Sequence, residues 1–185
     1  MSAARRKLGL ASPLDAARIG FEGRAQAHDH LAVKVWLRLL SCSTQIEQEI
    51  RDRLRARFGT TLPRFDYLAQ LERHPDGLRM SALSRYLMVT GGNVTGLTDQ
   101  LVAEGFVERS PDALDRRSLI VRLTPAGRRE FARMAVEHEA WLTEMFEGLD
   151  AAFKETLFEM LGRLRVHLAH REPSAKVAVV AKGKR

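Results

Sequence analysis

The 185-residue sequence predicts a mainly α-helical protein carrying one small β-hairpin. Three observations lead there. From His30 to Phe58 the chain has neither proline nor glycine, and Leu31, Val35, Cys42, Ile46, Ile50 and Leu54 recur at helical spacing. Phe106-Val107-Glu108-Arg109 and Leu119-Ile120-Val121-Arg122-Leu123 are rich in strand formers and flank a polar turn, Ser110 to Ser118. Beyond Thr124-Pro125, two further apolar patterns of helical period run to Leu168. With 45% apolar residues and the single cysteine Cys42, the chain suits one folded domain in a reducing compartment. It does not read as a disordered tail, a disulfide scaffold or a membrane span of ~20 apolar residues.

Each element has a local reason. Gly59 is placed to stop the first helix, and Arg51, Arg53, Arg55 and Arg57 suit its negative C-terminal end. A second helix starts with Thr61 as its cap and Pro63 in the first turn, where a missing N–H costs nothing. Phe65, Leu68 and Leu71 form its buried face, His74-Pro75 ends it and Gly77 marks a turn. Residues 80–105 divide into two short helices, one carrying Leu83 and Leu87, the other Val94, Leu97 and Leu101, separated by Met88-Val89-Thr90-Gly91. Gly105 closes the second of them, and the hairpin follows. Phe131, Met134, His138, Trp141, Leu142 and Met145 then lie along one helix face up to Gly148. Asp150 caps a last helix with Phe153, Leu157, Met160, Leu161, Leu164 and Leu168.

The net charge of +7 sits in the two ends. Residues 1–27 hold five cations and two anions, residues 171–185 five cations and one anion, and residues 28–170 hold 20 of each. Overall basicity therefore says little about nucleic-acid binding. The organisation expected is a partly ordered basic arm (1–27), one domain (28–170) and a mobile basic tail (171–185). After Arg5-Arg6-Lys7 only Leu8-Gly9-Leu10-Ala11 follows, too short for a signal-peptide core of ~7 residues, so a cytoplasmic location is expected. A glycine-rich phosphate loop, a nucleophile elbow, paired carboxylates and a metal-ligand spacing are all missing from the pattern, which argues against an enzyme and predicts no cofactor and no metal.

Two short helices joined by a tight turn and followed by a hairpin describe a winged helix-turn-helix, whose second helix can lie in a major groove. The hairpin residues sharpen this: Gly105-Phe106-Val107-Glu108-Arg109, then Asp115-Arg116-Arg117-Ser118, then Val121-Arg122-Leu123-Thr124-Pro125-Ala126-Gly127. In these motifs the sequence resembles the MarR family of bacterial transcriptional regulators, over about residues 30–168. An arginine at a hairpin tip projects a flat cation into a narrow minor groove, and a carboxylate two residues earlier can hold it in a bidentate fork. By similarity to family wings, Arg117 enters the groove, Asp115 orients it and Arg116 meets a phosphate. A solvated charged hairpin tip is the plain alternative.

On the second short helix, Val94, Leu97 and Leu101 face inward, which leaves Thr90, Gly92, Asn93, Thr95, Gly96 and Gln100 for the groove, with Thr90 as the cap. Asn93 is the best base reader, since a carboxamide pairs bidentately with adenine. Many relatives carry an arginine where Gly96 stands, so base readout is expected to be thinner, with wing and DNA shape contributing more. Arg79, Ser81 and Arg85 are candidate phosphate contacts, or simply solvated surface.

The long flanking helices, 28–58 and 125–170, exceed what the 61–124 lobe needs, and their apolar stripes either find a second copy or close a monomeric bundle. The resemblance implies the former: a symmetric homodimer reading a near-palindrome, with half-sites about one turn apart. It also implies a repressor released by a small aromatic acid, with control of aromatic-acid breakdown as the expected role. Arg38 falls on the face of Leu31, Val35 and Cys42, where a cation is expensive unless paired. A ligand carboxylate could pair with it while Trp36, Phe65 or Tyr67 meets the ring. An ion pair with Glu49 or a partner-chain carboxylate would serve equally. His138 reads as core or dimer seam, and Cys42 as an inert small hydrophobe, with a peroxide-sensing cysteine as the alternative. A winged helix used for protein contacts is the rival function, although it would have no need of Asp115, Arg116 and Arg117.

Overall fold

In the computed structural model, residues 30–87, 91–112 and 118–170 are described. Helix α1 (Leu31–Phe58) ends where Gly59 adopts a left-handed φ of 62° and its N–H turns back to the Arg55 carbonyl. Ion pairs four residues apart, Arg51 to Glu47 and Arg53 to Glu49, both at 2.7 Å, run along its second half. Helix α2 (Leu62–Glu72) has Pro63 in its first turn, but the expected Thr61 side-chain cap does not form. The Thr61 carbonyl instead accepts the N–H groups of Arg64 and Phe65, so the first turn closes through backbone alone.

A two-residue strand, β1 (Leu78–Arg79), follows α2 and was not anticipated. Two residues carry no readable period, and β1 exists only because β3 offers it a free edge. Next come α3 (Met80–Leu87), α4 (Gly91–Ala103), β2 (Val107–Pro111), β3 (Leu119–Leu123), α5 (Pro125–Met145) and α6 (Ala151–Ala169). The sheet is antiparallel with order β1-β3-β2, pairing Leu78 with Val121 and Val107 with Leu123. Pairing of Ser110 with Ile120 and of Pro111 with Leu119 carries the hairpin two residues past the expected start of its turn. Gly77 makes the entry into β1: its φ is 88°, and a Cβ there would stand 2.6 Å from Ile120 Cγ2 and 2.7 Å from the Val121 carbonyl oxygen.

The chain divides into two units, Met1–Leu142 and Thr143–Arg185. The core of the first includes Leu54, Tyr67, Leu68, Leu71, Leu83, Val94, Thr98, Leu101, Val121 and Met134, all fully buried. Thr98 was missed in the sequence because a hydroxyl reads as surface. Its Oγ1 donates to the Val94 carbonyl at 2.6 Å and lies 2.6 Å from the Tyr67 hydroxyl, so Tyr67 is left as donor to Thr98. Burial pushes the Tyr67 hydroxyl up to about 12, which keeps that proton in place. This bond ties α4 to α2. Tyr67→Phe leaves Thr98 bonded to Val94 and strands no donor, so it should cost only about 1 kcal/mol, read as a fall of roughly 3 °C in Tm.

Both flanking helices keep much of their apolar surface uncovered in the single chain. On α1 only Ile50 and Leu54 reach the core, while Leu31 is 76% exposed, Val35 45% exposed and Cys42 exposed. The N-terminal half of the stripe, Cys42 with it, is therefore left largely uncovered in the single chain. In the second unit α6 is capped as expected, Asp150 accepting the Phe153 N–H at 2.7 Å, yet none of its residues is buried. Phe158, Met160, Val166 and Leu168 are all more than half exposed.

Candidate nucleic-acid interface

Helix α4 separates its residues by face. Val94, Thr98 and Leu101 are buried, whereas Gly92, Asn93, Thr95, Gly96 and Gln100 are exposed. The Thr95 hydroxyl is spent on the Gly91 carbonyl at 3.1 Å, which leaves the Asn93 and Gln100 carboxamides as the polar heads on this face. Both line a shallow cleft of about 480 Å³ beside α4, together with Pro63, Asp66, Leu87, Gly92, Gly96 and Leu97. Partial burial and the nearby Glu47 raise the Asp66 carboxyl above its ordinary value, with Arg51 acting in the opposite sense. Thr90 and the hairpin-tip residues Asp115, Arg116 and Arg117 lie outside the described residues.

Ion pairs lock α4 in its setting. Asp99 meets Arg109 of β2 at 2.7 Å, and Glu104, just past the helix, is held by Arg64 of α2 in a two-pronged pair. Arg128 of α5 reaches Glu72 of α2 at 3.0 Å. Such partly exposed pairs are each worth no more than about 1 kcal/mol, and their service is to fix orientation. Of the candidate contacts on the first helix, Ser81 and Arg85 are exposed. Arg79, at the end of β1, binds Asp112, a buried carboxylate that no motif or spacing singles out.

The Leu123-Thr124-Pro125-Ala126-Gly127 motif has a mechanical reading. The Thr124 N–H donates to the Phe106 carbonyl at 3.0 Å, its hydroxyl donates to the Gly105 carbonyl at 2.6 Å, and the same oxygen accepts the Gly127 N–H at 3.0 Å. One threonine thus caps α5 and ties it to the end of α4. Gly127 permits the approach, because a Cβ there would sit 1.9 Å from the Phe106 carbonyl oxygen.

The four proposed ligand residues fall in different settings. Trp36 is 59% exposed and Arg38 is exposed, so the premise of a cation on a covered stripe does not hold in the single chain. Glu49 pairs with Arg53, not with Arg38. Phe65 is buried against α5, its ring 5.5 Å from Phe131 and 4.6 Å from His138, while Tyr67 points to Thr98. Burial lowers the His138 imidazole below its ordinary value, so the neutral ring is the form packed on Phe65. Among the described residues no helix is long and apolar enough to cross a membrane.

A short helix pair whose second member keeps an uncovered polar face, preceded by one short strand and followed by the hairpin that completes a three-stranded sheet with it, defines a winged helix-turn-helix protein, a class built to dock on duplex DNA. The MarR family model matches residues 58–118. The chain is 33% identical over 113 residues to the transcriptional activatory protein BadR of Rhodopseudomonas palustris, a match covering 60% of this chain and 64% of BadR. It is 28% identical over 121 residues to the transcriptional regulator PecS of Dickeya dadantii, covering 64% of this chain and 73% of PecS. A solved MarR family transcriptional regulator from Silicibacter pomeroyi superposes with a TM-score of 0.61 at 30% identity, over 75% of this chain and 93% of that one. The chain belongs to the MarR family of transcriptional regulators, which are not enzymes.

Proposed function

We propose that the protein is a dimeric, sequence-specific DNA-binding regulator that leaves its operator when it binds a small aromatic acid. The observation that supports it best is the exposed face of α4, where Asn93 and Gln100 stand clear beside Gly92 and Gly96, next to a hairpin whose sequence carries Asp115, Arg116 and Arg117 at its tip. Small side chains let the helix backbone come close to the duplex, Asn93 reads adenine and Arg117 enters the minor groove. Dimerisation is favoured by the uncovered apolar residues of α1, Leu31, Val33, Val35 and Trp36, and by those of α6, Phe158, Met160 and Val166. A second copy would remove this surface from water.

In this reading a ligand that binds better to a dimer whose lobes are wrongly spaced for successive grooves lowers DNA affinity by the ratio of its two affinities. A coupling of about 2–3 kcal/mol amounts to roughly 30- to 150-fold. We take the protein as a repressor of aromatic-acid breakdown. BadR, by contrast, is an activatory protein by name.

The test is a binding selection on genomic fragments with the purified protein at near-physiological salt, followed by footprinting. A protected near-palindrome with half-sites about one helical turn apart is the expected result; no enriched fragment would overturn the reading. On the selected operator, Arg38→Ala should leave DNA affinity intact and blunt release by benzoate-type acids. An unaltered response would remove Arg38 from the ligand site.

A further inference from the structure

In the sheet, β1 and β2 are the outer strands and β3 runs between them. Arg79 of β1 nevertheless reaches across β3 to the far end of β2, where its Nε and one terminal nitrogen both lie 2.6 Å from Asp112 Oδ2. The Asp112 side chain is only 9% exposed, and its backbone N–H donates to the Ser118 carbonyl at 2.9 Å, closing the hairpin. A carboxylate taken out of water is costly unless paired, and an apolar residue would be cheaper there. The arrangement has a geometric product instead. Met80 of α3 follows Arg79 directly, so the pair clamps the hairpin to the first helix of the helix-turn-helix. Hairpin and helix pair are thereby oriented as one body.

We infer that Asp112 and Arg79 are positioning residues for DNA binding, holding the wing at the angle at which its tip and α4 engage the same duplex. This rests on the DNA-binding reading above. It gives Arg79 a different task from the phosphate contact expected of it, and it places an orienting carboxylate where the strands of the wing enter its turn, in addition to Asp115. The two tasks differ in sign. Removing an anion beside DNA favours binding if only charge matters, whereas removing a positioning carboxylate weakens it.

The experiment measures affinity for the selected operator fragment across a salt series, with melting curves and dimer mass as controls. Asp112→Asn and Arg79→Met should each weaken binding about tenfold, and the double variant should be no worse than either single one. In an Arg117→Ala background Asp112→Asn should have a smaller effect, because the wing then keeps only its Arg116 phosphate contact. Affinity that is unchanged or tighter in Asp112→Asn overturns the inference. So does a loss that persists undiminished in the Arg117→Ala background, which would reflect general loosening of the fold. Should Asp112→Asn melt too low to use, Asp112→Glu keeps the charge and shifts the carboxylate by one methylene; weakened binding supports positioning and unchanged binding refutes it. A folded wild-type protein that binds no fragment overturns the DNA-binding reading and this inference together.

Discussion

Arg117→Ala should weaken operator binding by about 2–6 kcal/mol, at least roughly 30-fold, with the dimer and the melting temperature unchanged. The size follows from two wings per dimer, each losing one groove-inserted guanidinium worth about 1–3 kcal/mol. Two cations leave the DNA, so the slope of log K against log salt should flatten by about two. Arg116→Ala provides the contrast: as a phosphate contact it should weaken all sequences alike without relaxing specificity. A filter or fluorescence titration at several salt concentrations reads both quantities. Affinity that survives Arg117→Ala at moderate salt would take the minor-groove role away from this residue.

Gly127→Ala is expected to be the most damaging single methyl in the protein. The added Cβ would stand 1.9 Å from the Phe106 oxygen, 2.8 Å from its carbonyl carbon and 3.1 Å from its Cα. None of these is a side-chain end that can swing aside. The same carbonyl accepts the Thr124 N–H, so retreat of α5 also breaks the threonine cap. A loss of about 3 kcal/mol or more is expected, read as a fall of roughly 10 °C in Tm. Gly96→Ala is the control, since nothing lies within 4 Å of a Cβ there and its φ is not in the left-handed region. It should gain about 0.5–1 kcal/mol of helix stability. If Gly127→Ala melts like wild type, the tight seam between α5 and the end of α4 is not as described.

Much of the architecture was legible because its signals are local. Gly59, Gly105 and Asp150 mark helix ends through backbone conformation and capping, which depend on a few neighbouring residues, and all three do so in the structure. Helical spacing located α1 to α6, and strand formers located β2 and β3. The exposed face of α4 followed from the placement of Val94, Leu97 and Leu101, although the full burial of Thr98 did not, since its partner Tyr67 is 31 residues away.

What escaped the sequence involves partners distant along the chain. Strand β1 is defined by its pairing with Val121 and Ile120, and the Arg79 to Asp112 pair spans 33 residues. No period or motif reports such contacts. The same holds for the Thr61 carbonyl replacing its side chain as cap, and for Gly127, where the motif was visible but the reason, a carbonyl 21 positions back, was not. The amino-acid sequence by itself determined the order and type of the helices, the hairpin and the family, because these arise from hydrophobic period, capping and turn chemistry within short windows. Only the tertiary structure decided which apolar stripes are covered, because burial depends on what the rest of the chain places opposite. It buried the end of α1 at Ile50 and Leu54, left Leu31 and Trp36 exposed, and buried no residue of α6.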